Sequence, residues 1–173
     1  MTETERYLGT TPFQDIYDTF FALVTDDMYL EWEEEETYAD IKNIFLASVS
    51  KFEFPRFKLF DYTLTPSDDG DYTVGDTFNF LLDREEINIF AHLMIVEWIT
   101  RQIATANVTR QRYSSKDFEF TSQANHLSKL LNLRQTFKDE SKSLQRLYKR
   151  RQIGPDGYIT PNYSSFGGKE NAN

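Results

Sequence analysis

The chain has 173 residues, a formal net charge of −9, 39% hydrophobic and 16% aromatic residues, and no cysteine. That length carries one domain with a packed core plus tails, and fifteen Phe with ten Tyr exclude a wholly disordered chain. The lack of cysteine excludes disulfides and thiolate metal sites. Residues 1–9 lack the basic and apolar regions of a signal peptide, and no apolar stretch is long and uncharged enough for a bilayer span. A soluble protein made in a cytoplasm is expected.

A polar tail is expected over residues 1–10. The first helix is predicted from Thr11, because Thr11-Pro12-Phe13-Gln14 offers a capping hydroxyl, a proline for the first helical position and a glutamine three residues on. Phe13, Ile16, Tyr17, Phe20 and Val24 then recur at helical spacing. A second helix is predicted over residues 33–50, with Glu33 to Glu36 at the positive end of its dipole and Tyr38, Ile41, Ile44, Phe45 and Val49 facing inward. Four consecutive glutamates point in different directions on a helix, so they read as a helix start before a metal site.

Residues 57–64 and 72–81 alternate in the manner of strands around the polar run 66–71, which predicts a β-hairpin. Two strands alone are marginal, so the hairpin must pack on helices or pair with a neighbouring subunit. Asp83-Arg84-Glu85-Glu86 is a capping signature, and it opens the most apolar helix, over residues 83–105. His92 and Glu97 are its polar exceptions and read as positions at the rim of the core. A polar link over residues 106–120 leads to Ser122, a cap for a long last helix reaching Arg151. The apolar stripe of that helix, Leu127, Leu130, Phe137, Leu144 and Tyr148, is thin, with Arg134 and Ser141 at intervening inner positions. Asn125 and His126 are expected to serve structure, His126 holding the link against the core.

After Arg151, glycines and prolines break any helix, yet Ile153, Tyr158, Ile159, Tyr163 and Phe166 run through residues 152–173. An arm with five such side chains is expected to dock on a partner through them, and fully extended it reaches on the order of 70 Å. The basic end of the last helix, Arg146, Lys149, Arg150 and Arg151, is the second candidate partner surface. The expected fold is therefore mainly α. It is a small bundle of about four helices over residues 11–151, with a hairpin at about 57–81 and an extended carboxy-terminal arm.

Charge is divided along the chain. Residues 1–100 hold 22 acidic and 6 basic side chains, a net −16, and residues 101–173 hold 6 and 13, a net +7. Two charge poles suit head-to-tail or ring packing, because unlike faces attract and like faces reject wrong pairings. They equally describe an acidic domain with a basic last helix. The chemistry of catalysis is sparse: two histidines, His92 and His126, no phosphate-cradling glycine loop, no nucleophile elbow and no zinc-protease helix motif. An enzyme, a resident cofactor, a metal and a small-molecule ligand are not expected. Arg110, Arg112 and the basic helix end could meet phosphates, but the overall charge opposes general nucleic-acid binding.

Three stretches, Pro12-Phe13-Gln14-Asp15-Ile16-Tyr17, Leu93-Met94-Ile95-Val96-Glu97-Trp98-Ile99, and Lys116-Asp117-Phe118 with Ser122-Gln123-Ala124-Asn125-His126-Leu127, resemble a family of structural proteins of tailed bacteriophages infecting Gram-positive bacteria. The resemblance runs from about Thr11 to Arg150 and leaves out the arm. It implies a virion protein of the head–tail connector, a neck or adaptor subunit forming a ring, a dodecamer in such adaptors, beneath the portal protein. The partners it implies are copies of itself, the portal, a tail or collar protein, and genomic DNA passing without sequence specificity. In that arrangement the acidic half faces the channel or the tail, and Lys149, Arg150, Arg151 and the arm face the portal. Two alternatives are a tail terminator or baseplate protein, and a regulatory or DNA-binding protein outside the virion.

Overall fold

The computed structural model describes residues 3–24, 29, 32–65, 75–112, 120–153 and 159–161. In chain order these form α1 (Glu3–Arg6), β1 (Thr11–Pro12), α2 (Phe13–Leu23), α3 (Glu34–Val49), β2 (Tyr62–Thr63), β3 (Thr77–Phe78), α4 (Arg84–Arg112), α5 (Phe120–Arg150), β4 (Arg151–Ile153) and β5 (Ile159–Pro161). The fold is mainly α, a small helical bundle with a hairpin, as the residue periodicity predicts.

Helix α4 is the centre of the bundle. Ile89, Phe90, Ala91, Leu93, Met94, Ile95, Val96 and Ile99 are all buried, so nearly its whole circumference is covered, by α2 and α3 on some sides and by α5 on another. The stripes of α2 (Phe13, Ile16, Tyr17, Phe20) and α3 (Ile41, Ile44, Phe45, Val49) close on it. The core is unusually aromatic. Phe45, Phe52, Phe57, Phe78 and Phe90 meet with ring centroids 5.2–6.1 Å apart, mostly in tilted or edge-to-face contacts that suit the ring quadrupoles.

The predicted hairpin is present in shortened form. β2 and β3 pair antiparallel with Tyr62 opposite Phe78, and β1 adds to the other side of β3 with Thr11 opposite Phe78, giving the order β1-β3-β2. This changes the role of Thr11. Rather than capping α2, its hydroxyl donates to the Phe80 carbonyl at 3.0 Å and accepts from the Leu82 amide at 2.7 Å. Helix α2 consequently starts at Phe13, with no side-chain cap, and Gln14 bonds forward to Asp18 at 2.6 Å. Sheet pairing satisfies more buried backbone groups than a cap would.

The segment before Thr11 also departs from expectation. Instead of a free tail, Arg6 is buried and its carbonyl accepts from the Leu81 amide at 2.8 Å. The capping signature at Asp83 forms as predicted: the Glu86 amide donates to Asp83 Oδ1 at 2.9 Å, and the Asp83 amide to Glu86 Oε2 at 2.8 Å.

Helix α4 continues to Arg112, about two turns beyond the predicted end, and α5 begins at Phe120 rather than at the Ser122 cap. At 29 and 31 residues the two helices are about 43 and 46 Å long. They pack on each other, and each outgrows the body. Among the described residues none of α4 after Ile99 and none of α5 before Ser141 is buried. The far halves form a two-helix stalk whose base is tied to the body: Ile103, Leu130 and Phe137 are partly buried against the core, and Arg101 of α4 pairs with Asp40 of α3 at 2.7 Å.

Candidate functional site

Two regions gather the residues that carry interaction chemistry: the root of the arm and the stalk. At the root, a buried polar network fixes the end of α5 to the start of α4. The Glu86 carboxylate, fully buried, accepts from Arg6 Nη1 at 2.7 Å and from the Tyr148 hydroxyl. A buried carboxylate is tolerable only when its lone pairs are filled, and two side chains plus the Asp83 amide fill them. Burial lowers the Arg6 affinity for its proton, but the bond and charge of Glu86 outweigh it and hold the guanidinium above its ordinary value. Burial pushes the Tyr148 phenol well above its usual range, and the neighbouring Glu86 charge pushes the same way.

Around this centre Arg56 stacks over the Tyr148 ring at 4.1 Å and donates to the Tyr148 and Arg151 carbonyls, filling acceptors that the end of a helix leaves open. Arg151 pairs with Glu85 at 2.7 Å. Partial burial raises the Glu85 carboxyl, with Arg151 pulling the other way. The network thus ties the end of α5 and the first residue of β4 to the start of α4.

The basic candidates at this end divide. Arg151 is engaged with Glu85; Arg146, Lys149 and Arg150 are exposed, with the Lys149 ammonium 4.2 Å over the Phe54 ring. Of the five arm anchors, Ile153 and Ile159 come together as Cα partners in the β4–β5 ladder, which also pairs Arg151 with Pro161. The arm therefore begins as a hairpin that turns the chain back on itself rather than as one extended run, which shortens its reach. Tyr158, Tyr163 and Phe166 lie outside the described residues.

Of the polar inner positions of α5, Arg134 has a buried Nε without a hydrogen-bond partner among the described residues, and Ser141 accepts from Gln145 of the same helix. Ser141 and Gln145 are both buried, and Gln145 Oε1 accepts from the Glu53 amide at 2.6 Å. His92 Nδ1 meets the Asn88 carbonyl at 2.8 Å, and its ring lies beside Phe137; Glu97 pairs with Lys51. Both occupy rim positions. His126 and Asn125 are exposed, so His126 does not hold the link against the core. Arg6, Arg56 and Glu86 had no functional signal in the sequence beyond the cap at Glu86.

The stalk is the second region. Val108, Leu131 and Leu133 are 48%, 47% and 42% exposed on helices rich in basic residues. Helix α5 carries seven Lys and Arg against two acids, Asp139 and Glu140. At the other pole, Glu33 to Glu36 are all exposed at the start of α3. Among the described residues no group of three or more His, Asp or Glu is arranged to hold a metal ion, and no described helix is long and apolar enough to cross a membrane. No protein-family model matches the chain, and neither the curated proteins nor the solved structures include a match.

Proposed function

We propose that this chain is a structural subunit that self-assembles into a ring, acting as a neck or adaptor protein of a phage head–tail connector between portal and tail. The observation that carries the reading is the stalk, a basic two-helix projection with exposed Val108, Leu131 and Leu133, on a chain whose first hundred residues have a net charge of −16. Apolar side chains on a projection are stabilised by burial against a neighbour, and the acidic start of α3 is the complementary surface for the basic stalk of the next copy. Heterologous contacts of this kind close into rings when the rotation permits.

The resemblance supplies the location, and the hairpin root supports an arm aimed at a second protein, the portal. The acidic surface would keep the DNA backbone from adhering during passage. Native mass spectrometry of the purified chain tests the assembly. A closed oligomer that the Leu131→Glu, Leu133→Glu variant reduces to monomer supports the proposal, and a wild-type chain that is monomeric at all concentrations and on purified particles opposes it. Sixfold or threefold copies per particle would favour the terminator or baseplate alternative.

A further inference from the structure

Along α5, Arg134, Lys138, Lys142, Arg146 and Arg150 recur at every fourth position. Four residues advance about 40° beyond a full turn of an α-helix, so the last four of these cations share a face about 120° wide and run about 18 Å along the axis. Lys138, Arg146 and Arg150 are exposed, and Lys142 is half-buried. Among the described residues none of the five pairs with a carboxylate, whereas Arg6, Lys42, Lys51, Arg101 and Arg151 each do.

Such a row does not stabilise the helix that bears it. Cations at i and i+4 repel each other. The helix dipole favours cations only in the last turn, and Lys138 and Lys142 stand well before it. Of the two acids of α5, Asp139 is held by Gln135 and Glu140 falls off this face, so the face keeps a net positive charge. A repeated repulsion that packing and capping do not explain points to a partner that supplies the counter-charge.

We infer that this row is a binding surface for the backbone of duplex DNA, taken without regard to sequence. Cations that neutralise phosphates release the condensed counterions of the duplex, a gain that the sparser charge of an acidic protein surface does not supply to the same degree. A single strand fits less well, because its binding relies on aromatic stacking. The aromatic side chains of α5 along the row, Phe137 and Tyr148, are turned to the core. The first hundred residues, with a net charge of −16, repel the same backbone and so confine the contact to this face. The inference does not require the ring, since one subunit presents the whole row.

Fluorescence anisotropy of a short labelled duplex, titrated with the purified full-length chain, tests the inference. At about 50 mM salt a Kd of about 100 μM or tighter is expected, weakening about 40- to 150-fold by about 200 mM salt, as three to four phosphate contacts require. A duplex of unrelated sequence should bind equally. The variant Lys138→Gln, Lys142→Gln, Arg146→Gln should weaken binding about tenfold or more and flatten the salt dependence. The variant Lys58→Gln, Arg84→Gln, Lys129→Gln removes the same charge from exposed positions off the row, and should change binding by less than about threefold. Circular dichroism checks that both variants keep the fold. No binding at the lower salt, an equal loss in the two variants, tighter binding of the single strand, or competition by polyglutamate as strong as by unlabelled duplex would each overturn the inference. Oligomeric state does not enter the comparison of the two variants, so its outcome is separable from that of the ring proposal.

Discussion

Replacing Arg6 by methionine should cost far more than its position near the chain start suggests. Arg6 and Glu86 have side chains 5% and 0% exposed and are 2.7 Å apart. Without Arg6, the Glu86 carboxylate keeps only the Tyr148 hydroxyl and the Asp83 amide. Breaking a buried ion pair by removing one partner costs about 3–5 kcal/mol, because the remaining charge stays desolvated. For a chain of this size each kcal/mol lowers the midpoint by about 2–4 °C, which gives a fall of roughly 6–20 °C in thermal unfolding. The triple variant Arg6→Met, Glu86→Leu, Tyr148→Phe removes the charge along with its partners. It should recover most of the loss, since apolar replacement of a buried ionic cluster is often neutral. Denaturant melts of wild type, Arg6→Met and the triple variant measure both numbers. A cost below about 1 kcal/mol for Arg6→Met, the range of an exposed pair, would refute the buried network and with it the fixed root of the arm.

Burial and, respectively, the charges of Asp76 and Glu86 raise the Tyr17 and Tyr148 phenols. The unfolded chain therefore loses these protons first as pH rises past about 10, and stability should fall through that window. Tyr148→Phe should flatten the fall, and an unchanged slope in melts between pH 9 and 11 would count against it. Leu131→Glu and Leu133→Glu each sit on exposed positions, so they should shift folding stability by no more than about 0.5 kcal/mol while weakening self-association. Sedimentation velocity alongside thermal melts separates the two effects. Truncation after Arg151 keeps the contacts with Glu85 and Arg56, so it should leave the melting curve nearly unchanged and abolish assembly into particles; normal assembly of the shortened chain would make the arm dispensable. Phe78→Ala, in a fully buried ring against Phe45, Phe57 and Phe90, should cost about 3–5 kcal/mol, checked by urea denaturation.

The helices were legible because their signals are local. The faces of α2 and α3 follow from spacing alone, and the cap at Asp83 and Glu86 has its partners three residues apart. What escaped was long-range. Thr11 reads as a cap by every local rule, but it pairs beside β3 and its hydroxyl bonds to Phe80 and Leu82 of the segment that follows. Arg6 reads as a tail residue because its partner is 80 positions away. Ser141 reads as a gap in the stripe of α5, whereas it is buried beside Gln145, whose side chain accepts from the Glu53 amide. The ends of α4 and α5 were misjudged because the helices support each other past the body, where neither sequence has a strong apolar face. In the arm, Ile153 and Ile159 read from the sequence as two of five partner anchors, and no spacing rule reveals that they face each other across a ladder.

The central claim, that this is a ring subunit at a phage head–tail junction, is most directly tested by cryo-electron microscopy of purified particles combined with peptide identification. The expected density is a closed ring of this chain between portal and tail, with the stalk against the next copy and the root of the carboxy-terminal arm toward the portal. Particles that lack the chain, or that hold it elsewhere than the junction, would rule out a connector subunit.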